Sequence, residues 1–455
     1  MADPSTASIA STFQTLAQQY RTHQQIEAAA QIETVVQQVL QPEPDEASAA
    51  LVRFGALVLT FLEHGQWSAA VDVGHAVVEA RRRLLGPDSP ATLTAMHNLV
   101  SAYCGQGRWS EAIELGGRVV AARQTVLGAE HPQTLAAMSN LAAAYRNKGH
   151  LRPAEALETQ LLETKTRTLG PEHPSTMTSM SNLATTYTYL GRYEEAARLE
   201  QSVLERSGRV LGPRHGSTLT YQSNLSVTRR EQGRLAEAEQ LEGEVLEARL
   251  ASLGGQHPLS LTSMANLAAI YRDQGRCEEA AQLETQVVEQ SQDRLGDHPQ
   301  TFMAMVNLAT TWRAQGRGDE AARLGARAVA VMKTQLGESH PLSLTAMAEL
   351  GLTFQSQGRA REAEALTTQA LRGMQKTLGD HHPHCLTAMT NLGLIYQSQG
   401  RWKEAEALAE RAARGREKVL GKSHPLTLAS MQDLVRVCQV LAAERTMDTR
   451  VELSG

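Results

Sequence analysis

His257–Gly296 reads HPLSLTSMANLAAIYRDQGRCEEAAQLETQVVEQSQDRLG, and this stretch decides the fold. Pro258 suits the first turn of a helix, where its missing N–H leaves no bond unmade. Leu261, Met264, Leu267, Ala268 and Tyr271 then follow at helical spacing and give one apolar stripe. Gly275 breaks that helix within Asp273-Gln274-Gly275-Arg276. A second amphipathic run through Ala280, Leu283, Val287 and Val288 ends at Leu295-Gly296, where glycine can take a left-handed closing conformation. The stretch predicts a helix–turn–helix hairpin.

The same phrase recurs along the chain. Its proline returns at Pro90, Pro132, Pro174, Pro258, Pro299, Pro341, Pro383 and Pro425, at steps of 42 residues or a multiple, except one of 41 before Pro299; Gly216 fills the skipped position. The turn glycine recurs at Gly65, Gly107, Gly149, Gly191, Gly233, Gly275, Gly316, Gly358 and Gly400. The closing glycine recurs at Gly86, Gly128, Gly170, Gly212, Gly254, Gly296, Gly337, Gly379 and Gly421. Such a period predicts an all-α solenoid, in which each hairpin buries its apolar face only against its neighbours. Ala47–Gly86 keeps the pattern with Ser48 in place of proline, and Ala17–Leu40 reads as a degenerate copy followed by a loop at 41–46. The helix opening at Pro425 and running to about Ala443 has no second helix after it. The expected organisation is a degenerate repeat and loop over 1–46, a solenoid with its capping helix over 47–445, and a flexible tail over 446–455, about ten hairpins in all.

The 455 residues carry a formal net charge of -5 and only 4% aromatic residues. Thin layers packed through alanine suit that composition, and mild acidity gives no reason to expect nucleic acid or an anionic membrane as partner. Arg81, Arg82 and Arg83 fit a solvated helix end. The N-terminus lacks a basic segment followed by an apolar core, and no stretch approaches the length of a membrane helix. Cys104, Cys277, Cys385 and Cys438 are scattered without CxxC spacing, which fits a reducing, cytoplasmic setting.

Small and aromatic residues at fixed places make the phrase resemble the tetratricopeptide repeat: Leu267 and Ala268, then Tyr271, Ala280 and Val287. The longer unit, HPxxLxxxxNLAxxYxxQGRxxEA, resembles the kinesin light chain subclass and looks most like its fungal versions, which often follow a STAND nucleotide-binding module. No GxxxxGK[ST] phosphate loop occurs here, nor a long N-terminal heptad pattern. The resemblance implies a right-handed superhelix with the first helices lining a concave groove.

It also implies that the asparagine two positions before the small residue faces that groove: Asn98, Asn140, Asn182, Asn224, Asn266, Asn307 and Asn391. A row of amides can clamp an extended peptide backbone, or can bond the adjacent repeat and order the stack. Thr94, Thr178, Thr220, Thr262, Thr345 and Thr387 lie one turn earlier. Asn147, Tyr189, Glu231 and Asp273 lie later, and the register one position before them carries the basic column Arg146, Arg230, Arg272 and Arg313, which could pair with ligand carboxylates or belong to a solvated surface. Departures from the phrase fall at Gly216, at Arg229 in place of the aromatic, at Glu349 in place of the asparagine, and at Met303 and Trp312. Glu158, Glu200, Glu242 and Glu284 form a column that reads as a structural ladder. His131, His173, His215, His257, His298, His340, His382 and His424 lie one per layer, too sparse for a metal, and the Asp380–Cys385 cluster reads as an ordinary repeat junction. No GxSxG, HExxH or phosphate loop appears, and neither metal nor cofactor is expected. The expected function is a binding scaffold for a peptide or an extended protein segment. The alternative is an enzyme or small-molecule sensor using the groove as a chamber, with Tyr221, Arg229, Arg230, Glu231 and Glu349 as acid–base candidates.

Overall fold

A computed structural model describes residues 4–22, 25–39, 46–295 and 299–452. Twenty-one helices and no strand occur among them: α1 (Pro4–Thr22), α2 (Ile26–Val39), α3 (Glu46–Glu63), α4 (Trp67–Leu85), α5 (Pro90–Gly105), α6 (Trp109–Leu127), α7 (Pro132–Asn147), α8 (Leu151–Leu169), α9 (Pro174–Tyr189), α10 (Tyr193–Val210), α11 (Gly216–Glu231), α12 (Leu235–Leu253), α13 (Pro258–Asp273), α14 (Cys277–Leu295), α15 (Pro299–Ala314), α16 (Gly318–Leu336), α17 (Pro341–Ser356), α18 (Ala360–Leu378), α19 (Pro383–Ser398), α20 (Trp402–Leu420) and α21 (Pro425–Glu452). They pair as ten hairpins with α21 left over. Helix α21 continues to Glu452, through most of the segment that the sequence suggests is a tail. Gly296, His298 and most of the 41–46 loop lie outside the described residues.

Most of the described repeats are punctuated by the same two devices. At the hairpin turn Gly275 has φ 79°, while Arg276 N–H donates to the Tyr271 carbonyl at 2.8 Å and Gly275 N–H to the Arg272 carbonyl at 3.0 Å. This is a Schellman closure, which needs the left-handed residue glycine supplies. At the junction between repeats the histidine is an N-cap. Its Nδ1 accepts from the backbone N–H two residues on, as in His131–Gln133 at 3.2 Å, His257–Leu259 at 3.2 Å and His424–Leu426 at 3.0 Å. Proline at the first helical position has no N–H, so the next one is the donor that needs an acceptor.

The arginine of the QGR turn lies over the aromatic of its own hairpin. Arg276 sits 4.0 Å from the Tyr271 ring centre, Arg317 4.6 Å from Trp312 and Arg401 4.1 Å from Tyr396. It also pairs with carboxylates: Arg276 meets Glu279 at 2.9 Å and Glu239, one repeat earlier, at 2.8 Å. A second basic column, near the end of the second helices, is buried without a carboxylate. Arg123 donates to the Gln133 carbonyl at 2.7 Å, and Arg249 to the Leu259 carbonyl at 3.0 Å and Ser263 Oγ at 2.7 Å. These cations fix the start of the following first helix by filling lone pairs on its first carbonyls.

The chain divides into two compact units, residues 1–148 with 156–164, and residues 149–155 with 165–455. In the first, the N-terminal hairpin is fully integrated: Phe13 stacks on Phe54 with ring centres 3.6 Å apart, and both are buried with Ile32, Leu51 and Phe61. In the second, each layer packs the phrase's apolar positions, such as Leu261, Met264 and Leu267 against Leu246 and Val287.

The second unit also folds back on itself. Leu151 and Leu190, at the hairpin turns preceding α8 and α10, pack with Leu420 at the end of α20. A Cβ added to Gly149 would meet Pro383 Cδ at 2.9 Å, and one added to Gly191 would meet the His424 ring. Leucines closing the second helices show the consequence: Leu169 and Leu253 are 44% and 43% exposed, whereas Leu378 and Leu420 are 4% and 8% exposed. Leu190 stands where other repeats place Gln232, Gln274, Gln315, Gln357 and Gln399, so an apolar residue replaces glutamine at this contact.

Candidate functional site

The first helices carry the asparagine column in a half-buried row, with Asn391 fully buried. In the first unit Asn140 Nδ2 donates to Ser101 Oγ at 3.1 Å and approaches His97 Nε2 at 3.3 Å. In the second, Asn224 donates to Ser181 Oγ at 3.0 Å and Asn266 to Ser223 Oγ at 3.2 Å. Each partner belongs to the preceding first helix, so these amides do order the stack. In Asn224 and Asn266 one N–H and the carbonyl oxygen remain beyond that bond. Asn98, Asn182 and Asn307 occupy the same half-buried register. The threonine column is used locally: Thr178 and Thr262 donate to the carbonyls of Pro174 and Pro258 at 3.0 and 2.9 Å.

Behind the asparagines lies the glutamate ladder, at 3%, 2%, 0% and 3% exposure for Glu158, Glu200, Glu242 and Glu284. A buried carboxylate needs hydrogen bonds or a counter-ion, and the four are served unequally. Arg146 reaches Glu158 at 2.7 Å, and Arg272 reaches Glu284 at 3.0 Å together with Thr311 Oγ1 at 3.2 Å. Ser223 Oγ lies 3.0 and 2.9 Å from the two oxygens of Glu242, which links Asn266, Ser223 and Glu242 in one chain of bonds. Burial still pushes the Glu242 and Glu284 carboxyls up from their ordinary range. The fourth, Glu200, is bonded by the Thr228 hydroxyl, with Arg229 nearby, and burial raises it to about 7. Its Oε2 has no hydrogen-bond partner.

The basic column is thus engaged by acids of the chain itself, Arg146 and Arg272 inward and the others nearer the surface. Arg230 pairs with Glu231 at 2.7 Å and Asp273 at 3.3 Å, and Arg313 meets the carbonyl of Glu349 at 3.1 Å and its Oε2 at 3.3 Å. Glu349, the acid in the asparagine column, therefore supplies Arg313 with the partner that Gly325 cannot. Arg229 takes the place of the turn aromatic and meets Gln232 at 2.9 Å and Glu237 at 3.5 Å. Tyr221 is buried, with its hydroxyl 3.3 Å from Thr178 Oγ1. Gly216 opens α11 under the His215 cap, bonded to Ser217 N–H at 3.2 Å. Met303 is half-buried on α15, and Trp312 is the ring under Arg317. The candidates from Tyr221 to Glu349 sit in separate ion pairs and hydroxyl bonds, not in one acid–base constellation.

Two sets of working residues were not assigned by the sequence argument. The junction histidines among the described residues are caps, a role that their place just before a helix start could have disclosed. The half-buried Arg81 and the buried Arg123, Lys165, Arg249 and Arg416 share one register, which the period alone would have revealed. No group of three metal-ligating side chains is gathered among the described residues, and no helix there is long and apolar enough to cross a membrane.

Comparisons with known proteins agree with this construction. A tetratricopeptide repeat family model matches residues 54–91, 92–133, 134–175, 176–216, 218–259 and 385–426, and a second tetratricopeptide repeat model matches 243–293 and 300–376. No curated protein gives a match. Among solved structures, a Podosopora anserina putative kinesin light chain with nearly identical TPR-like repeats is 33% identical, covering 44% of this chain and 95% of its own, with TM-score 0.39. BtubC (BKLC) from P. vanneervenii is 21% identical over 50% of this chain and 92% of its own, with TM-score 0.42. The apo quorum sensor NprR from B. thuringiensis is 13% identical over 90% of this chain and 97% of its own, with TM-score 0.45. With family matches across most of the sequence between residues 54 and 426, the chain belongs to the tetratricopeptide repeat family, and its repeats are similar to those of kinesin light chain-like proteins.

Proposed function

We propose that this chain is a binding scaffold whose first-helix face holds an extended peptide segment of a partner protein. The observation that carries the reading is the common posture of Asn224 and Asn266, each tethered by Nδ2 to a serine one layer back, at 3.0 and 3.2 Å. A tether of that kind fixes the amide plane before any ligand arrives. The remaining N–H and Oδ1 can then meet a peptide backbone with little further loss of side-chain freedom. Successive layers repeat that offer at a regular spacing, which suits a strand-like ligand and reads no side chain. Pairing of the arginine column with acids of the chain itself removes its value as a general carboxylate clamp, so the asparagine amides carry the generic contact. A cytoplasmic setting fits the four free thiols, of which Cys104 and Cys385 are pushed up to about 11 and about 12 by burial and so are poor nucleophiles. The test is retention of immobilised peptides by the wild-type chain against an Asn224→Ala/Asn266→Ala variant. Loss of about tenfold in affinity is expected for two charge-free backbone contacts. Equal retention by a variant with an unchanged circular dichroism spectrum sinks the asparagine reading.

A further inference from the structure

Glu200 is the ladder member whose counter-ion is missing. In the repeat before and in the second repeat after, an arginine twelve positions earlier bridges solvent and the buried acid: Arg146 is 15% exposed against 3% for Glu158, and Arg272 26% against 3% for Glu284. The equivalent residue before Glu200 is Thr188, whose hydroxyl lies 3.2 Å from Thr228 Oγ1 and reaches no carboxylate. Glu242 lacks an arginine too, because Arg230 turns to Glu231 and Asp273, but Ser223 binds both of its oxygens. Glu200 has neither device. It is 2% exposed, and its Oε2 makes no hydrogen bond, as is also true of Glu284, but Glu200 alone of the two meets no guanidinium on its other oxygen. The place where its neighbours in the ladder receive a guanidinium, on the first-helix side, carries a side chain too short to fill that role.

We propose that the Thr188 position is a recognition subsite for a basic side chain of the bound segment, whose guanidinium or ammonium pairs with Glu200 as Arg146 and Arg272 pair with their glutamates. The inference rests on the reading of the first-helix face as a peptide site and adds the chemical class that one residue of the peptide must have. Three elements face the acid: Thr188 from α9, Thr228 and Arg229 from α11, and its own helix α10. Arg229 lowers the acid's proton affinity only as the last of the causes, behind burial and the Thr228 bond, so it does not substitute for a contact guanidinium. On binding, the cation pairs with the carboxylate, and a proton held by the acid passes to solvent. The site therefore prefers arginine or lysine to its neutral isostere citrulline. It also makes binding near neutral pH release protons.

The test uses the full chain and an array of immobilised 10-residue peptides with each position varied through all amino acids, citrulline included. Wild type should enrich arginine or lysine over citrulline about tenfold at one position, the ratio a charge-assisted bond supports. Thr188→Arg, which installs the neighbours' own counter-ion, should abolish that preference while leaving the peptides retained. Glu200→Gln should do the same, and calorimetry of the best peptide in two buffers of different ionisation enthalpy should show proton release with wild type alone. A basic preference absent from wild type, or unchanged in Thr188→Arg, overturns the pairing and leaves the peptide reading standing. Retention of no peptide at all overturns the reading on which it rests.

Discussion

Replacing Gly191 by alanine tests the self-contact of the second unit. Gly191 has φ 70°, and Gly233 and Gly275, at the same turn position, have φ 75° and 79°. Alanine at any of the three meets the same left-handed penalty, about 1–2 kcal/mol. Around Gly233 and Gly275 a new Cβ would meet nothing within 4 Å, but at Gly191 it would lie 2.7 Å from His424 Nε2 and closer still to Cδ2. The imidazole cannot simply swing away, because its Nδ1 caps α21 through the Leu426 N–H at 3.0 Å. Either the cap is released, which costs about 1 kcal/mol, or the contact parts and Leu190 and Leu420 lose part of their burial, on the order of 1–3 kcal/mol in all. Gly191→Ala should therefore lose about 1–3 kcal/mol more than Gly233→Ala. A repeat array need not unfold in one step, so urea midpoints should be read beside hydrogen exchange at the Leu426 amide. Faster exchange there in Gly191→Ala alone is the expected result. Equal midpoints and equal Leu426 exchange in the two variants would refute the argument that these turns bear on the α20–α21 junction.

Three further outcomes follow from the buried polar groups. Glu200 binds its proton more tightly folded than unfolded, its value rising from 4.5 to about 7, so its contribution is present below 4.5 and is lost as pH rises through about 7. Glu200→Gln should match wild type in urea midpoint at pH 4.5 and exceed it at pH 8, by on the order of 2–3 kcal/mol; a gap that does not change with pH contradicts this. The His424 ring is held below the ordinary 6.5, first by burial and then by Arg416, with Glu231 opposing and Tyr193 packed edge-on. Its neutral cap is therefore present above 6.5 and lost as pH falls below it. The protection factor of the Leu426 amide should fall on acidification, whereas a protection factor that stays flat between pH 7 and 5 would count against the cap. Finally, a Cβ on Gly351 would overlap Thr367 Oγ1 and approach Thr367 Cβ to 3.5 Å. Gly351→Ala should cost about 1–3 kcal/mol, and Thr367→Ala in the same chain should restore most of the loss; a double variant no more stable than Gly351→Ala would show that the crowding lies elsewhere.

Much of the site was legible in the period. A column repeated every 42 residues says which side chains share a register, so the row of asparagines and the glutamate ladder could be written down before any coordinates. The partner within each column was not legible. Arg146 and Arg230 are equivalent in sequence, yet one reaches a buried glutamate and the other turns to Glu231 and Asp273. Side chains of that length choose among several acids within reach, and the choice depends on packing around them. Asn266 shows the same limit: its register suggests both a ligand contact and a stack bond, and only the 3.2 Å approach to Ser223 shows the second.

The sequence by itself determined the hairpin, the layer and the repeat. Those depend on contacts within one unit and with its neighbours, which proline, glycine and the apolar stripe specify locally. Tertiary structure decided that the turns at Gly149 and Gly191 meet the caps at His382 and His424, about 230 residues later in the chain. That meeting is the sum of small rotations from layer to layer, and no single repeat encodes it. Its trace in the sequence, Leu190 in a glutamine column, becomes interpretable only once Leu420 is seen packed against it.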